Sequence, residues 1–313
     1  MESTAESYNG LCDGKVDLGR CTGGIARMKK WLDDSRARYG GRDAVLTLNS
    51  GDDFIGTVWD RKYGVNQAAH FLGLLQLDAS VIGNHEFDWG PDKLSDYLAS
   101  VDWPVLGAAN LEIPKGHRMQ DLIKSYISRT MQGYKVCVFG LATIETNPSQ
   151  AYPIKVKDPY WAAKQLVPKM QKDGCQVIIL LSHMGYTSDI VAAQIIPGLH
   201  LVVGGHSHAL LWNGPAPLWD KNDPGSVDRV WGSYPTWVDS KVQSGVRTPV
   251  VQAGWGSRYM GTVQLHLRPP GSSGGSVVAK VEGWPSLLGG DRSDSPYSQD
   301  RAMLAEISKW RYW

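Results

Sequence analysis

Four of the eight histidines, His85, His183, His206 and His208, sit in short polar clusters, each of which follows an apolar run. Asn49-Ser50-Gly51-Asp52-Asp53 follows "AVLTL", Gly83-Asn84-His85-Glu86 follows "ASVI", Ser182-His183 follows "QVIILL", and Gly204-Gly205-His206-Ser207-His208 follows "LHLVV". Together they offer carboxylate oxygen, carboxamide oxygen and imidazole nitrogen, a donor set that suits Zn, Mn or Fe. No cysteine lies in these clusters, which argues against a structural zinc site. A carboxylate such as Asp52 can bridge two metals about 3.5–4 Å apart, a spacing used in phosphoryl hydrolysis. His85 is then free as an acid or a phosphate contact, and Asp88, three residues on, can orient its ring.

Each cluster alone has a plainer explanation. "NSGDD" reads as a turn with a helix-capping Asp, and His183 as a hydrogen-bonded histidine at a strand end. "GNHE" is more specific, because it sets Asn84 and His85 on a glycine turn with little need for capping. Glu86 is read as a turn residue and nothing more. The four clusters in this order, all at strand ends, form one constellation of Asp52, Asn84, His85, His183, His206 and His208.

Elements that alternate between strand and helix must position these clusters. Helical spacing runs through "GGIARMKKWLDDSRARYG", "VNQAAHFLGLLQL", "PDKLSDYLASV", "WAAKQLVPKMQKDG", "SDIVAAQII" and "SQDRAMLAEISKWRYW". A kink or break is expected at Pro168. Strands are expected at "DAVLTLNS", "DASVIG", "WPVLGAAN", "YKVCVFGLAT", "CQVIILLSH", "LHLVVGGHSH", in two runs of "TPVVQAGWGSRYMGTVQLHLR", and at "SVVAKVEGW". The alternation predicts an α/β fold. In open α/β sheets the carboxyl ends of the strands line one edge where ligands bind, so clusters far apart in sequence can converge there. Residues from about 213 to 234 read as a long loop.

The bulk numbers narrow the function classes. With 32 basic and 31 acidic residues the net charge is +1, so nothing implies a polyanion-binding surface and nucleic-acid polymers are not favoured partners. No apolar run approaches the ~18 residues that cross a bilayer. The polar start "MESTAESYNGLCDGK" has no signal segment, which taken literally means no export. Cys12 and Cys21 sit in a stretch that can close a short disulfide. Cys137 and Cys175 are read as buried free thiols in or beside strands, which leaves the redox compartment open.

The stretches "SGDDFIGTVWD", "GNHEFDWG", "AANLEIP", "VCVFGLATIETNP", "LLSHMGYTSD", "LVVGGHSHALL" and "TPVVQAGWGSRYMGTVQLHL" resemble the 5′-nucleotidase branch of the calcineurin-like metallophosphoesterases. The opening "CDGKVDLGRCTGGIARM" resembles the early Cys-loop and helix start of that family. The resemblance implies a four-layer α/β/β/α sandwich with a di-metal centre. It implies Asp52 as bridging ligand, with Asn84, His183 and His206 completing one site. His208 falls where the family has a ligand or phosphate contact of the other site. It implies His85 and Asp88 as a catalytic dyad, and Asn84 and His85 as contacts to the substrate phosphate. The implied reaction is hydrolysis of a nucleotide phosphate ester by in-line attack of metal-activated water, as in nucleotide catabolism.

The chain departs from the family pattern at two places. The family begins with a strand ending in Asp-x-His, which gives two ligands to the first metal site; no Asp-x-His occurs before Asp52. The sandwich is therefore expected to miss its first strand and to hold one metal rather than two. The expected organisation is a phosphoesterase domain over residues 1–268, then a final strand and helix over 269–313 leading toward a C-terminal nucleotide-binding domain that is absent here. The alternative expectation is a catalytically impaired single-metal binding protein or a non-functional fragment. The expected partner is a nucleotide or related phosphate ester. The resemblance implies an extracellular or cell-surface protein.

Overall fold

The computed structural model describes residues 6–7, 10–11, 21–54, 58–107, 109–215, 229–269, 276–289 and 298–310. Its strands, in chain order, are β1 (Leu48–Asn49), β2 (Ala79–Val81), β3 (Val105–Leu106), β4 (Ile123–Lys124), β5 (Tyr126–Met131), β6 (Tyr134–Ala142), β7 (Val177–His183), β8 (Leu201–Val203), β9 (Thr236–Asp239), β10 (Arg247–Val251), β11 (Tyr259–Leu267) and β12 (Val278–Leu287). The helices are α1 (Ile25–Tyr39), α2 (Val65–Leu75), α3 (Gly90–Ser100), α4 (Pro159–Lys172), α5 (Tyr186–Ile195) and α6 (Arg301–Lys309). Shorter elements are not labelled.

Parallel strands β1–β2–β3–β4 make one sheet. A second, mixed sheet has the order β9–β10–β8–β7–β6–β5. Its four inner strands are parallel, and the hairpin partner β5 and the edge strand β9 run antiparallel. β11 and β12 form a long antiparallel hairpin. The two sheets face each other through a shared apolar core. Ala79, Val81 and Leu106 of the first sheet pack with Val138, Leu141 and Ile179 of the second. The approach is close: a Cβ at Gly140 would lie 2.4 Å from Leu106 Cβ, so only glycine fits between the sheets there. Helices α1, α2 and α3 bury Trp31, Phe71 and Leu94 in a second core with Ile82, Val105 and Ile123 of the first sheet. Helices α4 and α5 bury Ala163, Val167 and Ala192 against the second sheet.

The local rules behave as the residues dictate. α1 ends at Gly40, whose φ of 95° is left-handed and whose N–H bonds the Arg36 carbonyl. α4 starts at the capping Asp158, which accepts from the Trp161 amide, with Pro159 in the first turn. It runs on through Pro168 without the expected break. Pro168 and Lys164, whose carbonyl loses its donor, both lie on the exposed face, where water can satisfy that carbonyl. β5 and β9 were not expected, because their mixed polar patterns carry no strong alternation.

One expectation is overturned. Cys137 and Cys175 are not free thiols but a disulfide, 38 residues apart in sequence, with Cα atoms 5.8 Å apart. The parallel pairing of β6 with β7 brings them together: Cys137 is registered beside Ile178, and Cys175 leads into the same strand. The pairing of Cys12 with Cys21 lies outside the described residues. Among the described residues, no helix is long and apolar enough to cross a membrane.

Candidate metal centre

The four polar clusters meet. Asp52 follows β1, Asn84 and His85 follow β2, His183 is the last residue of β7, and His206 follows β8. One ligand atom from each of Asp52, His183 and His206 lies within 4.8 Å of the others. His183 Nε2 is 2.9 Å from Asp52 Oδ2, and the His183 and His206 rings are 5.2 Å apart. Asn84 opens a short 3-10 turn without capping it through its side chain. The amide that follows, His85 N–H, donates to Asp52 Oδ1 at 3.0 Å and ties the two clusters together.

Several local features aim these side chains. Asp52, His206 and His208 adopt φ of 59°, 70° and 55°, three of the six non-glycine residues with positive φ among the described residues. Such conformations cost roughly 1–3 kcal/mol each and persist only where the surroundings hold them. The His183 Nδ1–H donates to the Ser50 carbonyl, so Nε2 carries the lone pair toward Asp52. A Cβ at Gly83 would lie 2.2 Å from Asp52 Oδ1, so the turn passes where only glycine can.

Glu86, assigned no role in the sequence, is a structural link. It is 2% exposed. Its Oε2 accepts from the amides of Gly83 at 2.6 Å and Asp52 at 3.1 Å, and its Oε1 from Asp53 at 2.5 Å. It therefore bridges the loop after β1 to the loop after β2. Burial, then the nearby Asp52 and Asp53, push its carboxyl up to about 8, against three amide donors that favour its charged form. No pattern in the sequence marks this role, because two of its three partners are backbone amides more than thirty residues away.

The electrostatics fit a cation. Burial opposes the charge on both His183 and Asp52. Their contact outweighs it, raising the His183 imidazole and, with the His85 amide, lowering the Asp52 carboxyl. A divalent cation competes with the proton for the same Nε2. Two ligand-type atoms, Asn84 Oδ1 and His183 Nε2, are buried and have no hydrogen-bond partner. The 2.9 Å approach of His183 to Asp52 is thus short but not aligned as a hydrogen bond. Orphaned buried acceptors are costly, and carboxylate, carboxamide and imidazole together are the donors of a Zn, Mn or Fe site. These residues fit a divalent metal.

The remaining sequence candidates lie beside this group. His85 Nδ1 is 2.7 Å from Asp88 Oδ2, and the His85 side chain is 41% exposed. His208 is not in the Asp52 group. Its ring stacks on Trp255 at 5.2 Å and 9°, with the Arg258 guanidinium 4.6 Å from the Trp255 ring centre. Burial lowers the pKa of His208. A cavity of about 1100 Å³ opens from Asp52, His183 and His206 and runs between β1 and β11, lined by Leu48, Ile179 and Leu265.

The chain matches the calcineurin-like phosphoesterases over residues 17–210. A 5′-nucleotidase of Diplobatis ommata is 36% identical over 306 residues, covering 94% of this chain and 48% of its own length. One from Bos taurus is 32% identical over 317 residues, covering 99% of this chain and 50% of its own. The crystal structure of a 5′-nucleotidase precursor from Thermus thermophilus superposes with a TM-score of 0.79 at 28% identity, over 93% of this chain and 53% of that one. The chain spans about half the length of these relatives.

Proposed function

The chain belongs to the calcineurin-like phosphoesterase family, in its 5′-nucleotidase group, and on that premise we propose that it is a metal-dependent phosphoesterase hydrolysing a nucleotide phosphate ester. The observation that carries the reading is the pair of buried, partnerless atoms Asn84 Oδ1 and His183 Nε2 beside the Asp52 and His206 side chains. Asp52, Asn84, His183 and His206 would hold the ion, Zn, Mn or Fe, and His208 beside them would contact the phosphate or a second ion were one bound. The bound metal supplies Lewis acidity and a water of lowered pKa.

The protein's own groups do the rest. His85, exposed on the site and held through Nδ1 by Asp88, turns Nε2 toward the substrate. There it stabilises the charge of the transferring phosphoryl group and gives a proton to the leaving oxygen. Asn84 steadies the same phosphate through its carboxamide. The backbone amide of His85 holds Asp52 independently of the imidazole, so ligand geometry and proton transfer are carried by different atoms of one residue.

The architecture we propose is the four-layer α/β/β/α sandwich over residues 1–268, with the strand and helix of 269–313 leading toward a nucleotide-binding domain. Among the described residues Asp52, Asn84, His183 and His206 suffice for one ion. The Cys137–Cys175 disulfide supports an oxidising compartment, outside the cell or at its surface.

Elemental analysis and AMP hydrolysis after metal loading test this reading. We expect about one tightly bound transition-metal ion per chain and weak hydrolysis. Two ions with robust turnover would overturn the single-site account, and no retained ion would overturn the metal centre.

A further inference from the structure

The loop after β6 brings a further carboxylate to the site from a direction the sequence clusters do not mark. Ala142, the end of β6, is registered beside His183, so the loop leaves the sheet at the same edge as the metal-ligand candidates. Glu145 Oε2 accepts from His206 Nε2 at 2.8 Å. The turn that presents Glu145 is anchored on both sides. Thr143 and Thr146 are buried at 2% and 3% exposure. The Glu145 amide donates to Thr143 Oγ1 at 3.1 Å, and Thr146 Oγ1–H donates to the Thr143 carbonyl at 2.9 Å. The backbone of Glu145 is therefore placed, although its carboxylate is largely exposed to solvent.

We propose that Glu145 is a positioning residue for the metal centre. By accepting from His206 Nε2 it fixes the imidazole tautomer, leaving the Nδ1 lone pair for the ion shared with Asp52 and His183, and it holds the ring plane against rotation. This rests on the reading of His206 as a metal ligand. The carboxylate partner of a ligating histidine raises its basicity and fixes its orientation, and losing it typically costs 10–100-fold in metal affinity. Stability does not depend on it, because an exposed ion pair contributes little to folding. The two effects therefore separate.

The test measures Zn²⁺ affinity by competition with a chromophoric chelator for the parent, Glu145→Ala, Glu145→Gln, Glu145→Asp and His206→Ala, with urea midpoints of each metal-free chain alongside. Glu145→Ala and Glu145→Gln are expected to weaken Zn²⁺ binding by roughly tenfold or more. Glu145→Asp is expected to recover most of it, and the metal-free midpoints to stay at the parent value. Zn²⁺ affinity unchanged in Glu145→Ala and Glu145→Gln, with loss in His206→Ala, would overturn the role of Glu145 alone. Midpoints falling in step with affinity would also overturn it, by making the residue structural. Unchanged affinity in His206→Ala would sink the metal-ligand reading and this inference with it.

Discussion

Gly83→Ala is a one-methyl change that should dismantle the candidate metal centre while leaving the fold recognisable. Gly83 is not among the glycines with positive φ, so alanine meets no backbone strain. The obstacle is steric. The new Cβ lies 2.2 Å from Asp52 Oδ1 and 2.8 Å from His183 Cε1 and Nε2. Ordinary contact distances force the carboxylate back by about 1 Å. It cannot retreat freely, because the same Oδ1 accepts the His85 amide at 3.0 Å and the Asp52 amide is held by Glu86. Overpacking costs about 1–3 kcal/mol, and the amide left without its acceptor costs about 1–3 more. The sum, roughly 2–6 kcal/mol, is a large part of the 5–15 kcal/mol that keeps a typical domain folded. Metal ligands must keep their distances within about 0.2 Å, so the displaced carboxylate leaves the coordination shell.

Chelator competition should show at least a tenfold loss of Zn²⁺ affinity, by the order of magnitude that ligand displacement implies. Urea unfolding should show the stability loss. Gly73→Ala is the control: it lies inside α2, and its Cβ meets only Trp103 at an ordinary 3.6 Å. Helix propensity predicts a gain of about 0.5–1 kcal/mol there, with metal affinity unchanged. If Gly83→Ala binds Zn²⁺ within about threefold of the parent and unfolds within about 0.5 kcal/mol of it, the packing of Asp52 and His183 around the turn has been misread.

Two further outcomes are expected. His85→Ala should lower kcat/KM for AMP by roughly 10²–10⁴ with metal content unchanged, because the backbone amide that holds Asp52 survives the substitution; retained turnover rules the imidazole out. Asp189 is fully buried, and burial pushes its carboxyl from 3.8 up to about 7. Between those two values the folded chain holds a proton the unfolded chain has released, so stability is lost as pH rises through that window, by roughly 4 kcal/mol in all. Asp189→Asn should therefore exceed the parent in urea midpoint at pH 8 and match it near pH 4. Equal midpoints at both pH values would mean that the carboxylate is better solvated than its burial implies.

The strand-end clusters were legible because each is a polar insertion after an apolar run, and parallel strands deliver such insertions to one edge. The helices were legible where spacing and punctuation agree, as at Gly40 and Pro159. β5 and β9 were not, since an edge strand needs little alternation. The cysteines were misread because nothing local in "YKVCVFGL" or "DGCQVIILL" says that the strands carrying them become neighbours.

By itself, then, the sequence determined the candidate donors, Asp52, Asn84, His183 and His206, and the α/β alternation that carries them. Only the tertiary structure decided what holds those donors in place. Glu86 reaches the amides of residues 52 and 53 across more than thirty positions of chain, and Glu145 reaches His206 across 61. The left-handed backbone of Asp52, His206 and His208 is likewise set by its surroundings. The physical reason is common to all three. A ligand's identity is a property of one residue, whereas its orientation is fixed by hydrogen bonds and close packing between segments that meet only after the two sheets have closed on each other.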